Sequence, residues 1–156
     1  MVNLKALLEL RTMRYREVPK EKHSKRMVME TPNFMDVMIP YNPPHENDSK
    51  KTLEELKYLQ TLETDEAFAK KYDNVPRVFT ELLKEFDAHT PQREKIIDTL
   101  VDQSRKFIMT AKYNYNRPRP YQIAEFYGMD LNGTKLDSMN TPSYPSGHAT
   151  QGYLVA

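Results

Sequence analysis

The 156-residue chain contains no cysteine, which excludes a disulfide framework and thiolate chemistry while leaving the compartment open. No run approaches 18 apolar residues, so no membrane span is expected. Neither sign of charge dominates: 23 Lys and Arg stand against 22 Asp and Glu. That balance argues against a general nucleic-acid binder. The N-terminus is interrupted by Lys5, Glu9 and Arg11, too early for the apolar core of a signal peptide. Internal repeats and low-complexity tracts are also missing. These absences leave one soluble domain, cytoplasmic as written, with a periplasmic location left open. A domain of this length buries about 70% of its unfolded surface, enough for a true core.

What is present is helical punctuation. Leu4, Leu7, Leu8 and Met13 have helical spacing and predict a short surface helix over 3–15. Pro19, Pro32, Pro40, Pro43 and Pro44 then break the chain, so residues 1–50 are predicted to be an irregular segment ahead of a helical core over 51–156. Phe34, Met35, Val37, Met38 and Ile39 are expected to form one short apolar turn packed on the core. His23 and His45 lack partners at metal-ligand spacing and are expected to be solvated; no metal site is predicted. Thr52 and Glu55 read as a capping box for a helix bearing Leu53, Leu56, Leu59 and Leu62. Asp65 is expected to cap a second helix with Phe68 and Ala69 inward, ended or kinked by Pro76. A third spans about 77–88, with His89 at its C-terminal end, where a cation suits the helix dipole.

Thr90-Pro91 opens the longest helix, expected over 90–112. Ile97, Val101, Ser104, Ile108 and Lys112 share one face of it. Lys112 therefore continues the buried stripe, where an unpaired cation is costly and calls for a counter-charge. Pro118 and Pro120 stop the helix. Residues 121–144 show little periodicity, with one turn signal at Asn132-Gly133. Asn132-Gly133-Thr134 is formally a glycosylation sequon, discounted because no signal peptide precedes it. Tyr121, Phe126 and Tyr127 either wall a pocket or pack under a loop. Pro145-Ser146-Gly147-His148 then puts a hydroxyl, a bare backbone and an imidazole at what reads as a helix start. Helix N-terminal amides, an Arg fork and a Lys point charge are the parts of a pocket for a tetrahedral oxyanion.

The spacing of these residues resembles a known family. Lys112, six residues, Arg119-Pro120, and after a further 24 residues Pro145-Ser146-Gly147-His148, is similar to the first two motifs of the type 2 phosphatidic acid phosphatase superfamily. That superfamily includes bacterial acid phosphatases, lipid phosphatases and vanadium-dependent haloperoxidases. Asn42-Pro43-Pro44 followed by Asp48-Ser49 also looks like the start of the soluble bacterial class A non-specific acid phosphatases. The resemblance implies an all-α helical bundle of the acid phosphatase type. It implies that Lys112, Arg119, Ser146 and Gly147 bind phosphate and that His148 is the general acid. Arg117 and Tyr121 would stand behind or beside them. No cofactor is implied, although phosphate or vanadate fits the pocket, and the expected partner is a small phosphate ester.

The family's third motif, Ser-Arg, five residues, His, three residues, Asp, supplies the nucleophilic His; it does not fit in the eight residues after His148. The resemblance thus implies an incomplete domain, truncated before its last helices and inactive alone. Tyr153, Leu154 and Val155 are then expected to lack a cover and to pair with a second copy or with a C-terminal portion. The alternatives are a vanadium-dependent haloperoxidase, which holds vanadate in the same pocket, and a non-catalytic phosphate-binding or assembly remnant. A basic–aromatic strip over 112–121 for single-stranded nucleic acid is opposed by the neutral charge and the second motif.

Overall fold

The computed structural model describes residues 4–16, 18–29, 42–131 and 136–156. The apolar turn at 34–39 and the Asn132-Gly133 turn with its sequon lie outside them. Among the described residues eight α-helices follow one another: α1 (Leu4–Thr12), α2 (Glu21–Met27), α3 (Lys50–Gln60), α4 (Glu66–Lys71), α5 (Val75–Glu85), α6 (Pro91–Tyr115), α7 (Pro120–Phe126) and α8 (Gly147–Val155). A 3-10 turn, Asp137–Met139, lies before α8. Among the described residues there is no strand, so the chain is all-α. Nor, among them, is any helix long and apolar enough to cross a membrane.

Side-chain caps fix most helix starts. Ser49, Asp65, Asn74, Thr90 and Ser146 each accept a backbone N–H three residues on. Each such cap contributes about 1 kcal/mol. Pro76, Pro91 and Pro120 sit in first turns, where their missing N–H costs nothing. The cap of α3 is Ser49 and not Thr52. Thr52 lies one turn inside, buried, with its hydroxyl donating to the Glu46 carbonyl at 2.8 Å. Pro76 opens α5 behind the Asn74 cap instead of closing α4. Helix α4 buries no residue, and Phe68 is exposed, because the helix is too short to present a core face. In α3 only Leu56 of the leucine series is buried.

The described part of the N-terminal 50 residues is more regular than its prolines suggest. It holds α1 and also α2, whose sequence Glu21-Lys22-His23-Ser24-Lys25-Arg26-Met27 has no apolar period. Tertiary packing on α6 supplies what local pattern lacks. In α1 the buried side chain is Leu10, while Leu4 and Leu8 face outward. His23, expected to be solvated, is only 2% exposed, and its Nδ1 lies 2.6 Å from the Tyr113 hydroxyl. His45 is exposed as expected. His89 meets Glu94 at 3.0 Å, a carboxylate partner in place of the expected dipole contact.

Helix α6 is the axis, in contact with α2, α5 and α8. Two apolar clusters form the core, one of them against α6. Val75, Ile97 and Val101 gather Phe79, Leu83 and Val155 around α5, α6 and α8. Leu10, Leu56, Ile123 and Ala124 join α1, α3 and α7. Burying a side chain such as Val101 or Ile123 stabilises the fold by roughly 1.5–3 kcal/mol. Val155 is thus partly covered and Leu154 is half-buried; of the expected apolar patch only Tyr153 stands out, 90% exposed. Helix α6 runs past Lys112 to Tyr115. Asn116 ends it in the left-handed region (φ 47°), with its N–H bonded to the Lys112 carbonyl. Asn tolerates that conformation better than most residues.

Candidate functional site

The predicted face of α6 is the buried one: Ile97, Val101, Ser104, Ile108 and Lys112 are all buried. Lys112, 4% exposed, ends that stripe, and its Nζ donates to the Pro142 carbonyl at 2.6 Å. Burial pushes its ammonium down to about 7, and the neighbouring Arg119 cation adds to the effect. Arg119 caps the start of α7 with its backbone, its N–H donating to the Gln122 side chain at 2.9 Å. Its guanidinium reaches the 138–142 segment: Nε donates to the Thr141 carbonyl at 2.7 Å, and Nη2 to the Ser138 carbonyl at 3.2 Å and the Thr141 hydroxyl at 3.1 Å. Burial lowers its pKa as well, but an Arg remains charged.

Residues 138–143 are therefore stitched to the end of α6 and the turn after it. Ser143 completes the seam, its N–H donating to the Arg117 carbonyl at 3.0 Å and its hydroxyl to the Pro118 carbonyl at 2.7 Å. The seam delivers the chain to α8. There Ser146 accepts the Ala149 N–H at 3.2 Å. The N–H groups of Gly147 and His148 precede the first intrahelical bond and have no partner in the helix. Gly147 lies against α6: a methyl added to it would meet Ile108 Cγ2 at 3.7 Å and Lys112 Cε at 3.9 Å. The first turn of α8 and the Lys112 side chain are thus neighbours.

His148 is close to half-exposed, and its Nε2 is 3.3 Å from Asp73 Oδ1. Asp73 lies in the turn between α4 and α5. Its Oδ2 accepts the Ser138 N–H at 3.3 Å, while Oδ1 is buried without a hydrogen bond. The contact with His148 is therefore within ion-pair range but out of hydrogen-bond alignment. Asp73 escapes sequence reasoning entirely: a turn residue 75 positions from its partner leaves no local pattern. Arg119, Ser138, Asp73 and His148 form a continuous chain of contacts across four parts of the fold.

Arg117 belongs elsewhere. Its Nη2 lies 3.2 Å from Glu55 Oε2 and 3.3 Å from Thr52 Oγ1, which ties the α6–α7 turn to α3. Tyr121 is exposed on α7, near enough to Arg119 to influence it electrostatically. Among the described residues no cluster of three His, Cys, Asp or Glu could hold a metal. No family model matches the chain, and neither a curated protein nor a solved structure is significantly similar to it.

Proposed function

We propose that the chain binds the phosphoryl group of a small phosphate ester, in a helical bundle like that of the class A non-specific acid phosphatases. One observation carries the reading. Among the described residues, Lys112 and Arg119 are two desolvated neighbouring cations with no carboxylate ion pair, held only by carbonyl and hydroxyl oxygens. Burying like charges together is unfavourable unless an anion compensates them. The free amides at the start of α8 face the same ligand chemistry.

In this reading Lys112, Arg119, the Ser146 hydroxyl and the Gly147 N–H hold the non-bridging phosphoryl oxygens. Phosphoryl transfer depends on such positioning and charge stabilisation more than on covalent help from the protein. His148 protonates the leaving oxygen, and Asp73 beside Nε2 orients its ring. The family's nucleophilic His has no counterpart among these 156 residues. His23 is bonded to Tyr113, His89 to Glu94, and His45 lies outside the motifs. In a second reading these residues bind a phosphate ester without turning it over.

Calorimetric titration with orthovanadate or phosphate tests the binding reading. Arg119→Ala should lose more than the 0–1 kcal/mol of a typical exposed ion pair (an order-of-magnitude range). Arg117→Ala, which removes side-chain hydrogen bonds to Thr52 and Glu55 of α3, should keep the wild-type affinity. Equal affinity in wild type and Arg119→Ala would overturn the assignment.

A further inference from the structure

The near-neutral net charge hides a segregation. Residues 1–26 carry eight Lys and Arg against three Glu, so the other 130 residues carry 15 against 19. Much of that excess meets at one place. Arg16, Lys20, Lys22 and Arg26 stand around the buried His23: burial first, and then these four charges, depress it to about 4. None of the four forms an ion pair among the described residues; the nearby Glu21 is engaged with Lys25 at 2.8 Å. Arg105 of α6 adds its charge to Arg26, although Asp102 partners it. The platform is anchored, because Tyr15 and Arg16 donate their N–H groups to Asn116 at the end of α6 and α2 packs on α6.

Two aliphatic side chains border these cations. Val18, between Arg16 and Lys20, is 75% exposed, and Val28, two residues past Arg26, is 79% exposed. We propose that the face formed by Arg16, Lys20, Lys22 and Arg26, with Val18 and Val28 at its borders, docks the protein on an anionic lipid surface. Clustered cations draw a protein to anionic headgroups, and exposed aliphatics enter the boundary beneath them. A single-stranded nucleic acid would call instead for exposed rings on which bases stack. The rings here are engaged: Tyr15 is partly buried under the Arg16 guanidinium, 5.4 Å from its centroid, and Tyr113 is bonded to His23. The proposal is independent of the phosphate site, since none of these residues belongs to it.

Flotation of the full chain with vesicles tests it. Binding to phosphatidylglycerol–phosphatidylcholine vesicles is expected at low salt, with none to pure phosphatidylcholine. Lys20→Glu/Lys22→Glu should weaken it at least about tenfold. Lys51→Glu/Lys57→Glu, the same charge change on the exposed face of α3, should leave it intact. Val18→Ser/Val28→Ser should lose the fraction of binding that survives high salt; this variant keeps every charge and serves also if the reversal impairs folding. Equal losses in both charge-reversed variants would overturn the proposal. So would the absence of vesicle binding, or a preference of the wild type for an oligonucleotide over anionic vesicles.

Discussion

The Lys112 ammonium donates to the Pro142 carbonyl at 2.6 Å, and that single bond joins the end of the longest helix to the segment leading into α8. A carbonyl oxygen carries only a partial charge, so it offsets little of the cost of burying a cation. Hence the folded state holds the Lys112 proton only up to about pH 7, against 10.5 for an unperturbed lysine. Between those values the unfolded chain binds the extra proton, and stability rises with pH. The slope from this one group is at most about 1.4 kcal/mol per pH unit. Urea denaturation at pH 7, 8 and 9 should show this rise in the wild type and lose it in Lys112→Met. An anion beside Lys112 favours the charged form, so phosphate binding at pH 8 should take up protons. Calorimetry in two buffers of different ionisation enthalpy measures that uptake.

His23 gives a second pH window. Burial, followed by Lys22, Arg26, Lys20 and Arg16, lowers it from 6.5 to about 4. The unfolded chain therefore binds the proton first as the solution is acidified. Stability contributed by neutral His23 is complete above pH 6.5 and is lost as pH falls towards 4. His23→Gln should be less stable at pH 7 by about 1 kcal/mol, the value of one internal hydrogen bond. Its difference from the wild type should shrink between pH 6.5 and 5, as read from denaturation midpoints.

The parts of this architecture written in local periodicity were legible in advance. Thr90-Pro91 marks the start of α6, and the spacing from Ile97 to Lys112 places the lysine on the buried face. Ser146-Gly147-His148 marks the start of α8. The remainder depends on contacts between distant residues. Helix α2 is held by a histidine bonding to Tyr113, 90 positions away, and no pattern within α2 announces it. The ties of Arg117 to Glu55 and of His148 to Asp73 are likewise invisible to any short window. Asn74 and Pro76 show how one ambiguous signal misleads: proline both ends helices and opens them, and the cap before it decides which.

Gly147 separates packing from ligand binding. A methyl group there would make only ordinary contacts, at 3.7 Å with Ile108 and 3.9 Å with Lys112. Gly147→Ala should therefore change stability by no more than about 0.5 kcal/mol. A bare backbone can approach an anion more closely than one bearing a methyl. The same variant should bind vanadate about tenfold more weakly, a loss of about 1.4 kcal/mol. Thermal denaturation and calorimetry on one preparation measure both quantities. Unchanged affinity would remove the Gly147 amide from the site.

Turnover is the sharpest test of what these 156 residues can do. In the proposed reading Lys112, Arg119 and the start of α8 provide for binding, and His148 provides an acid. A displacement at phosphorus by way of a phospho-enzyme also needs an attacking group. His148 cannot be both acid and nucleophile in one step. Removing a covalent nucleophile typically lowers the rate by several orders of magnitude even when binding groups remain. The 156 residues alone should thus bind vanadate yet hydrolyse p-nitrophenyl phosphate at mildly acidic pH at a rate close to background, with His148→Ala no slower. The assay should be paired with size-exclusion chromatography, because Tyr153 is the one fully exposed ring of α8 and a second copy is its simplest cover. Robust hydrolysis that vanishes in His148→Ala would mean that a nucleophile stands among these residues. Asp73, whose buried Oδ1 faces the His148 ring, would be the first to replace.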